Sequence, residues 1–121
     1  MIKFKSLNQS HEFLKILKKK KINTKYFTLY FDKNSKEIKK KLNNCLNISF
    51  VMKKSIGNSV IRNKIKRKLK YAVQKIYNKE KEFINLNYTY VIFGKNNVYN
   101  DKFENVLKEV FQAFQKIKKM A

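Results

Sequence analysis

The sequence predicts an α+β protein, a two-layer sandwich in which helices cover a sheet. Two long segments show the apolar stripe of an amphipathic helix, and three shorter segments show the alternation of a half-buried strand. The elements follow the order helix, strand, strand, helix, strand, helix, which favours helices packed on one sheet. The 121 residues include no Pro and 2 Gly, so we expect a single domain, residues 1–121, without a flexible linker.

The first predicted element is a short helix that Asn8 or Ser10 can cap. It ends in the lysine run Lys18–Lys21, whose charges suit the dipole at a helix C-terminus. The next predicted element is a strand at Tyr26–Phe31. Alternation places Phe27, Leu29 and Phe31 on a core face, and Tyr26, Thr28 and Tyr30 on the opposite face.

The segment Asp32–Asn44 is charged and weakly patterned, and it predicts a surface connection with a helical turn around Glu37–Leu42. Alternation returns at Leu46–Met52 and predicts a second half-buried strand. The residues of this strand that share the core face are Ile48, Phe50 and Met52.

The clearest helix follows Gly57 and carries one apolar stripe. The stripe consists of Ile61, Ile65, Leu69, Ala72, Val73 and Ile76. A third strand is predicted at Tyr88–Phe93, and a final amphipathic helix begins near Asp101. The strand, helix and strand between Leu46 and Phe93 are a candidate crossover unit that joins two parallel strands.

The charge of the chain predicts a polyanionic partner. There are 30 Lys and Arg against 8 Asp and Glu, a net charge of +22, so nucleic acid is the first candidate. Cys45 is the only cysteine, which excludes an intrachain disulfide and fits a reducing compartment. No apolar run has the length of a signal-peptide core or a transmembrane helix, so we expect a soluble, cytoplasmic protein without a membrane partner.

The residue types that protein nucleases use are not clustered in this sequence. Paired carboxylates or groups of His normally activate water or hold a metal ion. Here the 8 acids are scattered along the chain and His11 is the only histidine. We therefore expect neither a catalytic residue nor a metal-ligand set in the protein itself.

The segment from Asn58 to Lys70 is the richest in functional residue types and holds both arginines of the chain, Arg62 and Arg67. A cationic helix anchored by an apolar stripe can present guanidinium groups to phosphates, which Arg binds in a bidentate manner. The same pattern also fits a solvated face of a surface helix in a Lys-rich protein. The residues alone leave both interpretations open and favour nucleic-acid contact.

The order of residues in this segment resembles the signature of the bacterial ribonuclease P protein family. That signature is Arg-Asn-Arg, one further residue, Lys-Arg and another basic residue. Four positions match it: Arg62, Asn63, Lys66 and Arg67. Lys64 and Lys70 stand where the family usually has Arg. The resemblance covers almost the whole chain, and it implies an α/β sandwich with a left-handed crossover.

The resemblance also implies the function and two binding surfaces of a protein subunit that helps a catalytic RNA remove the 5′ leader of precursor tRNA. Residues implied to contact the catalytic RNA are Arg62, Asn63, Lys64, Lys66, Arg67 and Lys70. Residues implied to form a cleft for the single-stranded leader are Phe13, Leu17, Tyr30, Ser49 and Lys53. In such a cleft, aromatic rings stack on unpaired bases and cations follow the backbone.

The implied partners are ribonuclease P RNA and precursor tRNA, with one protein per RNA subunit. The catalytic centre would lie in the RNA, and Mg²⁺ would be held by the RNA and the substrate. A rival interpretation from another class is a general RNA-binding structural protein, such as a ribosomal protein. That class equally favours Lys-rich helices and a small core.

Overall fold

The computed structural model describes residues 2–6, 10–36, 38 and 44–120 and confirms the α+β class. The strands are β1 (Phe4–Lys5), β2 (Lys20–Asn23), β3 (Phe27–Lys33), β4 (Leu46–Val51) and β5 (Tyr88–Gly94). The helices are α1 (Ser10–Ile16), α2 (Ser59–Lys79) and α3 (Phe103–Met120). Short 3₁₀ turns lie at Lys54–Ile56, Lys81–Phe83 and Asn96–Val98.

The described strands form one mixed sheet in the order β1, β4, β5, β3, β2. The central strand β5 is parallel to β4 and antiparallel to β3. At the edges, β1 pairs in parallel with β4, and β2 pairs antiparallel with β3. Helix α2 joins the parallel neighbours β4 and β5, so it is the expected crossover, and its left-handed sense stays a prediction.

One face of the sheet packs against α2 and α3 to form the hydrophobic core. Its buried strand residues include Leu29, Phe31, Ile48, Phe50, Tyr90 and Ile92. The α2 stripe meets them as predicted, with Ile65, Leu69, Ala72, Val73 and Ile76 buried and Ile61 half-buried. From α3 come Val106, Val110, Ala113, Phe114 and Ile117. Burial raises the pKa of Tyr90 to about 12, and its hydroxyl accepts a hydrogen bond from the Asn85 N–H at 3.1 Å.

The two edge strands are absent from the sequence prediction, because β1 has 2 residues and β2 has 4, which is too short for an alternation signal. The prediction that the first helix ends in the run Lys18–Lys21 is wrong. Helix α1 ends at Ile16, whereas Lys20 and Lys21 lie exposed in β2. Exposed Lys on an edge strand opposes pairing with another chain, which gives these charges a structural reason.

Tyr26 is the one residue of the predicted strand that lies on the wrong side. It is 2% exposed and precedes β3, which begins at Phe27. Its hydroxyl donates a 2.6 Å hydrogen bond to Asp101 Oδ2, and this bond raises the pKa of Tyr26 to about 12. The contact ties the turn before β3 to the loop before α3.

The predicted surface connection from Asp32 to Asn44 begins later than expected. Asp32 and Lys33 belong to β3, and Asn34 is buried. The helical turn predicted around Glu37–Leu42 lies largely outside the described residues, as does Asn8.

Candidate nucleic-acid interface

Helix α2 positions the basic motif, and its first turn is capped. The Oδ1 atom of Asn58 accepts a hydrogen bond from the Ile61 N–H at 3.0 Å, which satisfies one of the free donors at the helix start. The Nε of Arg62 donates to the Gly57 carbonyl at 3.1 Å. Arg62 is half-buried, so it combines a structural contact with its positive charge.

The predicted RNA-subunit residues lie along the part of α2 that the core does not bury. Asn63, Lys64 and Arg67 are exposed, whereas Arg62, Lys66 and Lys70 are half-buried. The Nζ of Lys64 lies 4.7 Å from the centre of the Tyr99 ring, and the Nζ of Lys70 lies 5.9 Å from that of Phe50. An aromatic face attracts an ammonium group without neutralising its charge. Lys64 and Lys70 of the motif therefore pack against aromatic rings.

No carboxylate of a described residue forms an ion pair with this basic surface of α2. The ion pairs found there are Lys25–Asp101 and Lys118–Glu82, each with an N–O distance of 3.9 Å. Neither pair includes a residue of α2. The field of the motif is consequently available to an external polyanion.

Lys68 lies within the basic motif, but its ammonium group forms hydrogen bonds within the protein. Its Nζ donates to the carbonyl oxygens of Val98 at 2.7 Å, Tyr99 at 3.4 Å and Asp101 at 2.6 Å. One ammonium group therefore fastens the loop after β5 to α2. The acceptors are backbone atoms at least 30 positions away, so no side-chain pattern in the sequence announces this contact.

The sheet face opposite the core carries two of the predicted cleft residues. Directly paired residues of neighbouring strands point to the same side, so Tyr30, Val91 and Ser49 form a row across β3, β5 and β4. Burial of Phe27, Leu29 and Phe31 confirms that Tyr30 faces away from the core. Tyr30 is half-buried and Ser49 is 7% exposed, so Tyr30 offers the larger surface to a ligand.

Three aromatic rings form a cluster on this second face. The ring centre of Phe93 lies 6.0 Å from that of Phe13 in α1 and 5.6 Å from that of Tyr30, edge-on in the second case. Phe93 is the shared neighbour of the other two rings, although it is not among the cleft residues predicted from the sequence. Alternation along Tyr88–Phe93 could have identified it, because it lies on the strand face opposite the buried Tyr90.

Leu17 and Lys53, the other predicted cleft residues, lie at the borders of this cluster. Leu17 is half-buried directly after α1, and its N–H donates to the Phe13 carbonyl at 3.3 Å. Lys53 is exposed two positions beyond Val51, the β4 residue that is paired with Phe93. The end of β4 therefore brings an exposed cation close in sequence to the strand pair of Val51 and Phe93.

A buried polar chain crosses the next row of the same face. The Nδ2 of Asn47 donates to Thr89 Oγ1 at 2.7 Å, and the Thr89 hydroxyl donates to Asn34 Oδ1. The Nδ2 of Asn34 in turn donates to the Leu86 carbonyl at 3.2 Å. Buried polar groups need such partners, so the chain fixes the three strand ends with respect to one another.

The described residues form neither a metal-ion cluster nor a membrane-spanning helix. No group of three or more His, Cys, Asp or Glu side chains there is arranged to hold a metal ion. Within the same residues, every helix is too short or too polar to cross a membrane.

Known proteins resemble this chain over almost its whole length. The family model described as Ribonuclease P matches residues 1–118. The ribonuclease P protein component of Carboxydothermus hydrogenoformans is 30% identical over 120 residues, which cover 98% of this chain and 96% of that protein.

Two solved structures share the fold. The RNase P protein of Staphylococcus aureus, solved as a mutant with defective mRNA degradation activity, has a TM-score of 0.66 and 23% identity, covering 93% of this chain and 87% of that chain. The RNase P protein of Thermotoga maritima has a TM-score of 0.65 and 21% identity, covering 93% and 96% respectively.

Proposed function

The chain belongs to the ribonuclease P protein family, and we propose that its two surfaces bind different RNAs. Members of the family bind RNA and are subunits of an endoribonuclease that acts in tRNA 5′ processing. In this proposal α2 binds the catalytic RNA, and the sheet face opposite the core binds the leader of precursor tRNA.

The observation that carries the proposal is the uncompensated basic surface of α2. Arg67 is exposed, and no carboxylate of a described residue lies within 4.0 Å of any α2 cation. Guanidinium and ammonium groups at such a surface bind phosphates through charge-assisted hydrogen bonds. A folded RNA presents many phosphates at close spacing, so a rigid helix 21 residues long suits it.

The second face has the chemistry of a site for an unpaired strand. Phe13, Phe93 and Tyr30 supply aromatic surface, and Lys53 supplies a cation at its border. Stacking on rings tolerates any base, which a leader of variable sequence requires. Mature tRNA lacks this segment, so the face would distinguish precursor from product.

Catalysis in this proposal belongs to the RNA subunit. Mg²⁺ would be bound by the RNA and the substrate, where it would activate water and stabilise the leaving oxygen. The protein would raise precursor affinity, screen the repulsion between two polyanions and so support occupancy of the metal sites. We further propose one protein per RNA subunit, acting in the cytoplasm, where precursor tRNA is made.

The test is cleavage of a precursor tRNA by a bacterial ribonuclease P RNA over a series of Mg²⁺ concentrations, with and without the protein. We expect the protein to shift leader removal to lower Mg²⁺ and to cleave nothing when the RNA is omitted. Polylysine of matched charge is the control for bulk screening. An effect no larger than that of polylysine would contradict the proposal, and specific cleavage by purified protein alone would contradict catalysis by the RNA.

A further inference from the structure

An open groove of ≈1100 Å³ runs along the second half of α2, beside the N-terminal segment. The Nε2 of Gln74 donates to the Ile2 carbonyl at 2.7 Å, and the Phe4 ring lies 5.8 Å from that of Phe50. These contacts hold the segment beside the helix and form one wall of the groove. The side chains that matter for its chemistry are Lys3, Arg67, Lys70, Tyr71, Lys75 and Lys79.

The groove is strongly cationic. Five of the residues that line it are Lys or Arg and none is acidic. Glu80 and Glu104 share a neighbouring depression with Lys75 and Lys79, but no carboxylate oxygen of a described residue lies within 4.0 Å of either lysine nitrogen. Like charges gathered without a nearby carboxylate of a described residue repel one another, so a polyanion is the ligand that suits them.

Tyr71 adds an aromatic surface to this basic groove. Its side chain is 60% exposed, which is unusual for a ring so large, and its ring centre lies 5.1 Å from that of Phe103 at 57°. Phe103 supports the ring from one side and leaves the rest open to solvent. A supported, exposed ring next to cations suits an unpaired base that follows a bound phosphate backbone.

The spacing along α2 fits an extended strand. Arg67, Tyr71, Lys75 and Lys79 recur every four residues, so they occupy neighbouring positions on one side of the helix. At about 1.5 Å per residue they span roughly 18 Å, which is long enough for several backbone phosphates.

We propose that this groove extends the RNA-binding surface of α2 and holds a single-stranded segment of the catalytic RNA, with an unpaired base on Tyr71. The inference rests on the function proposed above and extends it to residues outside the motif. The ligand is the catalytic RNA because Arg67 and Lys70 belong both to the motif and to the groove. We assign the leader to the other surface, because Tyr30 and Phe93 lie on the opposite face of the sheet.

The experiment measures the affinity of the protein for an in vitro transcribed bacterial ribonuclease P RNA, without tRNA, at several salt concentrations. The groove variant is Lys75→Gln with Lys79→Gln, and the control is Lys116→Gln with Lys119→Gln. All four lysines are exposed on helices, so both variants lose the same charge from similar positions.

We expect the groove variant to reduce the slope of log affinity against log salt by about 1.4, since each contact to a single strand contributes roughly 0.7. The control should leave the slope unchanged. Tyr71→Leu should weaken binding about tenfold whereas Tyr71→Phe should not, because stacking needs only the ring.

Equal slopes for the groove and control variants would overturn the inference. It is also overturned if the groove variant alters the preference for precursor over mature tRNA while RNA-subunit affinity is unchanged, since the ligand would then be the leader. Failure of the unaltered protein to bind the RNA would instead overturn the proposed function, and the inference with it. Should Tyr71→Leu fail to fold, the exposed lysine pair still decides the question.

Discussion

Replacement of Tyr30 by Ala tests the leader surface, because the structure predicts weaker precursor binding together with only a modest loss of stability. The ring is half-buried, faces away from the core and meets Phe93 edge-on at 5.6 Å. Stacking of a base on such a ring is worth about 1–3 kcal/mol. We expect precursor tRNA to bind the holoenzyme about tenfold more weakly, which corresponds to about 1.4 kcal/mol.

The cost in stability should be smaller than for a core aromatic. Truncating a fully buried Phe or Trp to Ala removes about 3–5 kcal/mol of folding free energy. The Tyr30→Ala change removes the ring contact with Phe93 and part of the buried surface of the side chain. The ring contact contributes about 0.5–1.5 kcal/mol in addition to the burial of apolar area. We therefore expect a loss of about 1–2 kcal/mol, or a decrease in Tm of roughly 3–12 °C for a domain of this size.

Thermal unfolding and tRNA affinity are measured on one preparation of each variant. The matched control is Phe31→Leu, whose side chain is 3% exposed and points into the core from the same strand. This control should lower Tm and leave the ratio of precursor to mature tRNA affinity unchanged. A Tyr30→Ala protein with a large decrease in Tm and an intact precursor preference would refute the leader role.

Two further predictions concern cations of α2 whose surroundings differ. Arg67→Ala should weaken RNA-subunit binding by about 1–3 kcal/mol and flatten its salt dependence. Its Tm should not change, because the side chain is exposed. Arg62→Ala should in addition lose stability, because the Nε of Arg62 donates a hydrogen bond to the Gly57 carbonyl. Binding assays over a salt series check both, and unchanged assembly with weaker leader binding would reverse the assignment of surfaces. Lys68→Gln should lower the free energy of unfolding by about 1–3 kcal/mol and leave the salt slope of RNA binding unaltered, because its ammonium group already serves three carbonyls. A changed slope with an unchanged Tm would show that Lys68 contacts RNA instead.

The parts of the fold that periodicity predicts are those with many residues facing one core. The α2 stripe and the alternation of Phe27, Leu29 and Phe31 repeat often enough to identify the buried side. The edge strands offer no such repetition, since β2 buries only Ile22 of its four residues. Their position depends on hydrogen bonds to β3 and β4, which a local pattern does not contain.

The candidate site divides in the same way. Alternation placed Tyr30 outside the core, and residue order identified the motif from Arg62 to Arg67. The residues that contact the site come from distant segments of the chain. The Phe93 ring packs against Tyr30, and the carbonyls of Val98 and Asp101 accept hydrogen bonds from Lys68. Lys68 and Arg67 count equally in the net charge. In the fold, however, Lys68 is hydrogen-bonded within the protein, whereas Arg67 is exposed.

The connection between β4 and α2 links the two proposed surfaces mechanically. Strand β4 carries Ser49 on the second face and ends at Val51, and α2 begins at Ser59 with its Asn58 cap. The short segment between them contains Lys53 and is shaped by the 3₁₀ turn Lys54–Ile56, while Arg62 bonds back to Gly57. Because a packed core resists sliding of its layers, the position of α2 on the catalytic RNA also fixes the sheet face behind it. If α2 binds the catalytic RNA and the opposite sheet face binds the leader, assembly with the RNA subunit sets where the leader lies relative to the catalytic centre. The protein can then position the substrate without placing a side chain near the scissile bond.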